Sequence, residues 1–405
     1  MNEQEIETLL QQESLTLLEE LNQRLPQPLQ DGALISIITE LRKAGVPAET
    51  VNIVLSQLKL QRRAIAKFGE FSPKMLFSEA GLEQATRLPV ARHHAKRFLG
   101  ADIKELLDLG SGIGGDALAF SLAGLTVLAV ERDAVTARLA THNLAPYPNA
   151  QVLCADADSA VTDRFRQHPN EALWFDPARR EVGARGQRKL HDPSDWSPSL
   201  DWVFEQGRTR SIGVKLSPAL DTTLIPPDVE AQWVSDNGSV VELVLWSGKL
   251  RRDGIGRSAL ILRDNATHEL NAAGESPDED VAELQEYLYE PDGAVIRAHL
   301  IGDLSRTLNA HPIDPTIAYI SGSEYFETPF AQAFRVLEVL PAKVEKLRRA
   351  MTERNIGSLE IKKRGADLDP AVLRKQLKLS GKETATLIIT RIAGKHCAIL
   401  AERVA

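Results

Sequence analysis

The stretch LLDLGSGIGGDALAF, residues 106–120, decides the fold. Its apolar start predicts a strand that ends at Leu109, and a helix is expected to begin near Asp116. Four glycines, at positions 110, 112, 114 and 115, stand between the two elements. Glycine permits a sharp strand-to-helix turn and lets a ligand approach the backbone where side chains would collide. The stretch therefore indicates a site for a nucleotide-type cofactor.

The glycine spacing alone does not identify that cofactor. Three of the glycines satisfy the dinucleotide pattern G-x-G-x-x-G, and Glu131 follows at the distance expected of a ribose-binding acid. The charges favour another ligand, because Asp108 and Asp116 flank the turn and would repel a pyrophosphate. S-adenosylmethionine carries an ammonium and a sulfonium and no phosphate, so it suits the loop better. A nicotinamide-dependent oxidoreductase stays open as an alternative.

Two acids lie at the ends of predicted strands, where such a cofactor would need them. Glu131 closes the second strand and is placed to accept hydrogen bonds from both ribose hydroxyls. Asp156 follows the third strand and is placed to accept a hydrogen bond from the adenine amine. Either acid alone is equally consistent with a solvated strand end or a helix cap. Together with the glycine loop they favour a binding role.

Short apolar runs alternate with helical stretches from Ile103 to about Arg263. The connections are long enough for crossover helices, which predicts an α/β domain on a mostly parallel sheet. The last two strands are close in the chain and are expected to form an antiparallel edge. The predicted strands cover residues 105–109, 126–130, 150–154, 172–175, 211–216, 240–246 and 258–263.

The two ends of the chain have other patterns. Leucines recur at three- and four-residue steps near the start, which predicts helices over residues 1–95, and the last of them is interrupted near Pro89. The polar, acidic run over residues 264–284 predicts a boundary or an exposed loop. Beyond it the pattern predicts small α+β units that end in a strand pair.

The charge is unevenly distributed along the 405 residues. The net charge of −8 argues against indiscriminate binding to nucleic acid, yet residues 341–405 carry fifteen Lys or Arg and only seven Asp or Glu. With neither a long apolar run nor a signal-peptide pattern, we expect a cytoplasmic protein with no membrane span. The two cysteines, Cys154 and Cys397, are interpreted as reduced packing residues, and the scattered histidines predict no metal site.

The fourth predicted strand ends in WFDPARR, residues 174–180. Ligands gather at the carboxyl ends of strands in an open α/β sheet, so Asp176 is a candidate acceptor of a hydrogen bond from a ligand. Pro177 fixes the local backbone, which lets nearby carbonyl groups act as further acceptors. Two acceptors that converge on a nucleobase amine would point its lone pair at a methyl donor. The alternative is a turn in which Asp176 only closes the strand.

The motifs DLGSGIGGD, VERD, ADAD and DPAR resemble those of class I S-adenosylmethionine-dependent methyltransferases. The similarity is to the branch related to RNA and DNA amine methyltransferases and to cap trimethylguanosine synthase. With LEQATRLPVARHHAKRF before these motifs, and YEPDGAVIRA and LEIKKRG after them, nearly the whole chain resembles bacterial methyltransferase-like proteins with a THUMP-like C-terminal domain. The resemblance implies a Rossmann-like, seven-stranded methyltransferase sheet, an N-terminal helical domain and a small α+β THUMP-like C-terminal region.

The resemblance also implies site residues. Asp176 and Pro177 are expected at the target amine. That branch usually has a second proline and an aromatic residue next, where this chain has Ala178 and Arg179, so the choice of base amine stays open. The implied cofactor contacts are Asp108, Gly110, Gly112, Glu131 and Asp156, and we extend the predicted cofactor site to Ser111, Gly114, Arg132 and Ala157.

Basic residues beside these motifs predict an RNA substrate, such as a structured tRNA or rRNA. Spaced cations on a glycine-containing loop suit a phosphate chain, although a solvated basic surface has the same composition. The predicted substrate-binding residues are Arg179, Arg180 and Arg185 in the loop, Lys215 at the fifth strand, and Lys362, Lys363 and Arg364 in the tail.

The sequence thus predicts an S-adenosylmethionine-dependent methyltransferase that acts on a base amine in RNA. An RNA-binding protein with a degenerate methyltransferase core, and a methyltransferase for a small molecule or a protein, are the alternatives. The predicted parts are a helical domain (1–95), a Rossmann-like methyltransferase domain (96–265), a small ferredoxin-like α+β segment (280–330) and a basic THUMP-like domain (331–405).

Overall fold

The computed structural model describes residues 1–25, 31–165, 168, 171–179, 196–264 and 266–404. The chain divides into two compact units. The first comprises Met1–Leu216, Leu220–Val229 and Val244–Arg252, and the second comprises Ser217–Ala219, Glu230–Leu243 and Asp253–Ala405. The limits of the four predicted parts stay predictions.

α-Helices occupy most of the described positions in residues 1–100, as the leucine spacing predicts. Asn2 begins the first helix with a capping box, in which its side chain accepts from Glu5 N and the Glu5 carboxylate accepts from Asn2 N. The predicted interruption lies just before Pro89, because proline is tolerated in the first turn of a helix and not in its interior. The helices are α1 (Glu3–Leu9), α2 (Gln12–Arg24), α3 (Asp31–Lys43), α4 (Ala48–Phe68), α5 (Glu79–Gln84) and α6 (Leu88–Gly100).

Strands and helices alternate in the part that follows. The strands are β1 (Glu105–Leu109), β2 (Thr126–Glu131), β3 (Ala150–Cys154), β4 (Ala172–Phe175), β5 (Ala178–Arg179), β6 (Trp196–Ser197), β7 (Ile212–Leu216), β8 (Glu230–Asp236), β9 (Ser239–Trp246), β10 (Arg257–Arg263) and β11 (Ala266–Ala272). The helices between them are α7 (Gly115–Leu122), α8 (Ala134–Leu144), α9 (Ala157–Phe165) and α10 (Leu200–Gly207).

Nine of the described strands form one sheet, in the order β11-β10-β8-β9-β7-β4-β1-β2-β3. β1 pairs in parallel with β2 and β4, β2 with β3, and β4 with β7. Parallel neighbours need crossover connections, and helices α7 to α10 stand in them. The predicted α/β class and mostly parallel sheet are confirmed, with nine strands in place of the seven predicted. The carboxyl ends of β1, β2, β3, β4 and β7 therefore meet along one edge of the sheet.

The prediction is wrong about the far side of this sheet. β8 was not predicted, because buried polar residues such as Glu230 and Ser235 interrupt its apolar pattern. β8 and β9 are neighbours joined by the two-residue turn Asn237–Gly238, in which both φ angles are positive, as hairpin turns require. The predicted β9–β10 edge does not exist, since β10 pairs in parallel with β8 and antiparallel with β11. β11 occupies residues that were predicted as a boundary or loop.

A seven-stranded sheet, in the order β13-β14-β12-β15-β18-β17-β16, forms the later part of the second unit. It ends in the antiparallel pair β17–β18, as predicted. Leu347, Met351, Leu373 and Leu377 of two helices pack into its core. The elements are β12 (Tyr287–Pro291), α11 (Gly293–Arg297), α12 (Ile301–Thr307), β13 (His311–Pro312), β14 (Ile320–Gly322), β15 (Ala331–Leu340), α13 (Val344–Glu353), β16 (Ile356–Lys363), α14 (Pro370–Leu377), β17 (Glu383–Ile392) and β18 (Lys395–Arg403).

Candidate active site

The glycine turn after β1 has the conformation that its composition predicts. Gly110, Gly112 and Gly114 have φ angles of +87°, +55° and +85°, in the left-handed region that glycine adopts without steric cost. The amides of Gly110 and Ser111 both donate to the Val130 carbonyl at the end of β2, at 2.9 and 3.1 Å. The turn is therefore fastened to the neighbouring strand before α7 begins.

The Asp-Pro motif after β4 lies directly against this turn. The Asp176 amide donates to the Leu109 carbonyl at 3.1 Å. A Cβ atom on Gly110 would stand 2.7 Å from the Asp176 carbonyl oxygen, closer than real side chains come. Pro177 beside it is buried. The structure thus brings the predicted catalytic motif and the predicted cofactor loop into contact.

Glu131, at the end of β2, holds the same loop from another side. Its carboxylate accepts from Gly112 N at 3.0 Å and from Asp133 N at 2.9 Å. Each carboxylate oxygen has a second lone pair, so this geometry is compatible with ribose hydroxyls as further donors. Asp156 is exposed just before α9, which begins at Ala157. The cofactor contacts of these residues stay predictions.

Asp108 is the most unusual charge in the site. Its side chain on β1 is buried, and among the described residues neither carboxylate oxygen has a hydrogen-bond partner. Burial, followed by the negative charges of Asp116 and Asp176, raises its pKa well above the ordinary value. The Ser111 hydroxyl is also buried without a described partner. A cationic ligand at this place would remove the penalty of an isolated buried carboxylate.

Asp116, at the start of α7, is satisfied inside the protein. The His94 ring, through Nδ1, lies 2.8 Å from one carboxylate oxygen, and the Thr86 hydroxyl donates to the other at 2.7 Å. Burial opposes ionisation of Asp116, but the hydrogen bond and charge of His94, the charge of Lys215 and the Thr86 hydrogen bond together hold the pKa below the ordinary value. Asp116 was predicted to attract the ligand together with Asp108. In the structure its carboxylate instead bonds Thr86 and His94, which belong to the N-terminal helical region.

Lys215, at the end of β7, joins Asp116 to Asp176. Its Nζ lies 2.5 Å from Asp176 Oδ2, donates to the Thr86 hydroxyl at 2.9 Å, and lies 4.0 Å from Asp116 Oδ2. The Lys215 side chain is 12% exposed and that of Asp176 is 34% exposed. The candidate acceptor acid is therefore accessible on one side and held by a lysine on the other.

Thr86 and His94 were not predicted as site residues from the sequence. His94 stacks on Trp174 of β4, with ring centroids 4.4 Å apart, and both side chains are fully buried. A signal for His94 was present, because its position on α6 falls in the apolar series Val90, Ala91, Ala95 and Phe98, which predicts a buried histidine. Thr86 lies between two helices, where no periodic pattern marks it.

The helical region is also tied to the glycine turn by Asn143 of α8. Its side-chain amide donates to the Ile113 carbonyl at 2.9 Å and to the Leu76 carbonyl at 3.0 Å. Its oxygen accepts from Leu76 N at 2.7 Å. One buried asparagine thus joins the turn to the segment that precedes α5.

The predicted substrate loop is described only at its edges. Ala178 and Arg179 pair with Ser197 and Trp196 as two short antiparallel strands. Arg132, which was predicted at the cofactor, donates from Nη1 to the Ser197 hydroxyl at 3.1 Å. Arg180 and Arg185 lie outside the described residues.

The predicted basic residues of the tail have different surroundings. Lys362 Nζ donates to Glu290 at 2.6 Å, and Arg364 lies 3.9 Å from the same carboxylate, over the Tyr319 ring. Lys363 is exposed. Further exposed cations lie on and beside α13 and α14: Lys343, Lys346, Arg349, Arg374, Lys375 and Lys378.

Comparison with known proteins agrees with this fold. A family model described as THUMP domain-like matches residues 331–403. Two proteins of Mycobacterium tuberculosis, from strains CDC 1551 and H37Rv, are each named as an uncharacterized S-adenosylmethionine-dependent methyltransferase. Each is 33% identical over 343 residues, which cover 82% of this chain and 90% of the relative. The chain belongs to this family of S-adenosylmethionine-dependent methyltransferases, as its motifs predict.

A solved structure has the same architecture over almost the whole chain. The crystal structure of a protein from Porphyromonas gingivalis W83, assigned as a methyltransferase, is similar with a TM-score of 0.72 and 21% identity. The similarity covers 93% of this chain and all of that one. At this identity the comparison supports the fold alone.

S-adenosylmethionine is the cofactor of this family, and the site suits it. The Asp108 carboxylate, buried and without a hydrogen-bond partner in the described part of the chain, matches a ligand with an ammonium and a sulfonium. Three left-handed glycines keep the turn largely free of side chains. Within the described ranges, no group of three or more His, Cys, Asp or Glu side chains is arranged to hold a metal ion. A helix long and apolar enough to cross a membrane is not found in that part of the chain either.

Proposed function

We propose that this methyltransferase acts on an exocyclic base amine in RNA, with a structured RNA such as a tRNA or an rRNA as the substrate. The observation that carries the proposal is the contact between Asp176 and the glycine turn. An acid at that place can hold an amine beside the bound cofactor. No nucleophilic side chain is needed, because a direct displacement depends mainly on alignment.

The chemistry divides between the cofactor and the chain. When bound, S-adenosylmethionine supplies a methyl group whose bond to sulfur breaks as the bond to the acceptor nitrogen forms, so that sulfur leaves as a neutral thioether. The Asp176 carboxylate accepts a hydrogen bond from the amine and orients its lone pair. The methylated nitrogen then gives up one proton to Asp176 or to water. Pro177 restricts the backbone that presents these acceptors.

We also propose how the chain holds the cofactor. Asp108 and the Ser111 hydroxyl supply buried polar groups, and Glu131 lies where ribose hydroxyls are expected. Asp156 and Ala157 begin the helix after β3, and Arg132 follows Glu131. The proposed cofactor site is completed by Gly110, Gly112 and Gly114.

The basic surface of the second unit supports RNA as the substrate. The THUMP domain-like region carries exposed cations on α13 and α14, and such cations contact phosphates without reading sequence. Lys363 is exposed beside them, whereas Lys362 and Arg364 are engaged with Glu290. Arg179, Arg180 and Arg185 remain part of the proposed RNA contact on sequence grounds.

The test is methyl transfer to total RNA, followed by mass spectrometry of its nucleosides. Wild-type protein with tritium-methyl S-adenosylmethionine is expected to label RNA, and Asp176→Ala is expected to lower the rate about 100-fold or more, because the amine loses its alignment. Exposed Asp253 supplies the control Asp253→Ala, which is expected to label at the wild-type rate. Calorimetry with S-adenosylmethionine shows whether each protein still binds the cofactor.

Two results would contradict the proposal. If the wild-type protein binds the cofactor and labels no RNA, the acceptor is a small molecule or a protein. If Asp176→Ala labels RNA as fast as the wild type, the acceptor nitrogen is held by other groups.

A further inference from the structure

We propose that Lys215 is a positioning residue for methyl transfer, whose ammonium holds the Asp176 carboxylate in the orientation that receives the acceptor amine. Buried groups of the N-terminal helical region hold Lys215 in turn. This places Lys215 behind the acceptor acid, in place of the predicted contact with substrate. The inference rests on the proposed function in one respect, the role of Asp176, and it does not require that the acceptor belongs to RNA.

The first observation is the short contact between Lys215 and Asp176. Asp176 directly follows β4, Lys215 lies near the end of the adjacent strand β7, and Nζ is 2.5 Å from Asp176 Oδ2. The acid is the more exposed partner, at 34% against 12% for the lysine. A charge-assisted hydrogen bond of this length restricts the rotation of the carboxylate. Lys215 therefore orients Asp176 and leaves part of the acid accessible.

The second observation is the set of groups that hold Lys215. Its Nζ donates to the Thr86 hydroxyl at 2.9 Å, and that hydroxyl donates to Asp116 Oδ2 at 2.7 Å. The other Asp116 oxygen lies 2.8 Å from His94 Nδ1. Thr86, Asp116 and His94 are all buried. Because a satisfied, buried polar network is rigid, the position of the ammonium does not depend on a substrate.

The third observation is the negative charge around this lysine. Burial and the charges of Asp116 and Asp176 raise the pKa of Asp108, and the charge of Lys215 opposes that rise. A positive charge 2.5 Å from Asp176 likewise favours the ionised form of this acid among its acidic neighbours. The charged groups around the pair are Asp108 of β1, Asp116 of α7, Glu131 of β2 and Lys67 of α4.

The charge of Asp176 matters because of the lone pair on the acceptor nitrogen. An ionised carboxylate only accepts hydrogen bonds, so it binds the amine through N–H and leaves the lone pair for the methyl group. A protonated carboxyl group could instead donate to that lone pair and block the attack. Lys215 thus acts on methyl transfer through Asp176, by fixing both the orientation and the charge of the acid.

The experiment follows the ionisation of Asp176 in the full chain, without any acceptor. Aspartate labelled with carbon-13 at its carboxyl group is titrated by NMR, and the Asp176 signal is identified by its absence from Asp176→Asn. Lys215→Met is expected to move the midpoint of the Asp176 titration to higher pH, because the neighbouring positive charge is lost. Lys215→Gln loses the same charge and gives the same test if Lys215→Met does not fold.

Two further variants control this measurement. Lys215→Arg keeps the charge and is expected to restore most of the wild-type midpoint. Lys104→Met removes the ammonium that lies 2.8 Å from exposed Asp102, a lysine–aspartate pair outside the site. It is expected to leave the Asp176 midpoint unchanged.

The rate of methyl transfer to RNA is the second measurement. Lys215→Met is expected to lower kcat roughly 10- to 100-fold, because the acceptor loses its alignment. The deficit should be largest at acidic pH, since this variant needs a higher pH to ionise Asp176. Thr86→Val keeps the charge of Lys215 and is expected to lower kcat with a smaller change in the pH profile. Its control is Thr141→Val, whose hydroxyl bonds the Ala137 carbonyl in its own helix.

The outcomes separate this inference from the proposed function. An Asp176 midpoint that is equal in the wild type and Lys215→Met overturns the inference and leaves the RNA proposal in place. A higher midpoint in Lys215→Met, with no RNA labelled by the wild type, supports the inference and overturns the RNA proposal. If RNA is labelled and Lys215→Met lowers the rate by the same factor at every pH, its effect is structural and the inference is overturned.

Discussion

Two lysine–carboxylate pairs, one in each unit of the chain, show how differently the same chemistry can be used. Lys215 and Asp176 lie at the ends of parallel strands, and the carboxylate is the more exposed partner. Lys362 and Glu290 lie on the face of the seven-stranded sheet, 2.6 Å apart, and Lys362 also lies over the Phe334 ring. Both lysines were predicted to bind substrate, Lys215 from its place at the end of the fifth predicted strand and Lys362 from the basic run that contains it.

The difference between the pairs is what lies around them. Behind Lys215 lies a chain of buried, hydrogen-bonded polar side chains, which are Thr86, Asp116 and His94. The glycine turn contacts the backbone of Asp176, the partner of Lys215. Glu290 instead accepts from both Lys362 and the Tyr319 hydroxyl, and so it connects strands of one sheet. The Lys215–Asp176 pair lies at the carboxyl ends of strands, where ligands bind in open α/β sheets, whereas the Lys362–Glu290 pair links strands within one sheet. The two pairs have the same charges, so their positions in the two sheets are what distinguishes them.

The largest effect is expected from Gly110→Ala, which disrupts the surroundings of the Lys215–Asp176 pair. The new Cβ would meet the Asp176 carbonyl at 2.7 Å, and the positive φ angle would be strained. Strain of about 1–3 kcal/mol corresponds to roughly 5- to 150-fold weaker binding of S-adenosylmethionine, measured by calorimetry. Gly100→Ala, at a position with no atom within 4 Å of the added Cβ, is the control. Wild-type affinity in Gly110→Ala would show that the turn does not hold the cofactor.

An intermediate effect is expected from Asp108→Asn, through the pH dependence of stability without cofactor. Because the folded-state pKa of Asp108 is raised, its contribution to stability is full below its ordinary pKa and is lost as pH rises through the raised value. The asparagine variant has no carboxyl group to ionise at this position, so it does not show this loss of stability. Its melting temperature is expected to exceed that of the wild type by roughly 2–4 °C at pH 8, and by less at pH 5.

The same substitution should weaken the binding of S-adenosylmethionine, since it removes the buried negative charge. A melting-temperature difference that is constant from pH 5 to pH 8 would show that Asp108 titrates normally. Asp201→Asn, on the exposed start of α10, is a suitable control.

The smallest effect is expected from single cations of the second unit. Lys346→Gln, on the exposed face of α13, should lower RNA affinity a few-fold and reduce the salt dependence by about one counterion, because one phosphate contact is lost. Lys362→Gln should leave the salt dependence unchanged, because its ammonium is paired with Glu290. Filter binding of total RNA between low and moderate salt measures both. If Lys362→Gln reduced the salt dependence of RNA binding more than Lys346→Gln did, the contrast between the two lysine pairs would be reversed.

The sequence predicted those features that depend on local chemistry. The glycine turn was found because positive φ angles favour glycine, and β1, β2 and β4 were found because apolar runs mark buried parallel strands. β8 was missed because its buried positions include charged residues. Its two-residue Asn-Gly turn was the signal that could have revealed it.

The polar chain behind Asp176 could not be predicted in the same way. Thr86, His94, Asp116 and Lys215 come from different elements, and only tertiary packing brings them together. The partner of Lys362 is likewise 72 positions earlier in the chain. Local patterns predict which elements form, and they contain no information on which distant side chains will meet.

The position of Thr86 and His94 in the chain, before β1, has a practical consequence for any shortened form of the methyltransferase. Both residues precede β1, and they complete the polar chain that ends at Lys215 and Asp176. A fragment cut at the first strand would retain every methyltransferase motif and lose two of the groups behind them. Any minimal enzyme or domain exchange must therefore include α5 and α6, together with Lys67 of α4, whose ammonium donates to the carbonyl groups of Leu82, Glu83 and Ala85.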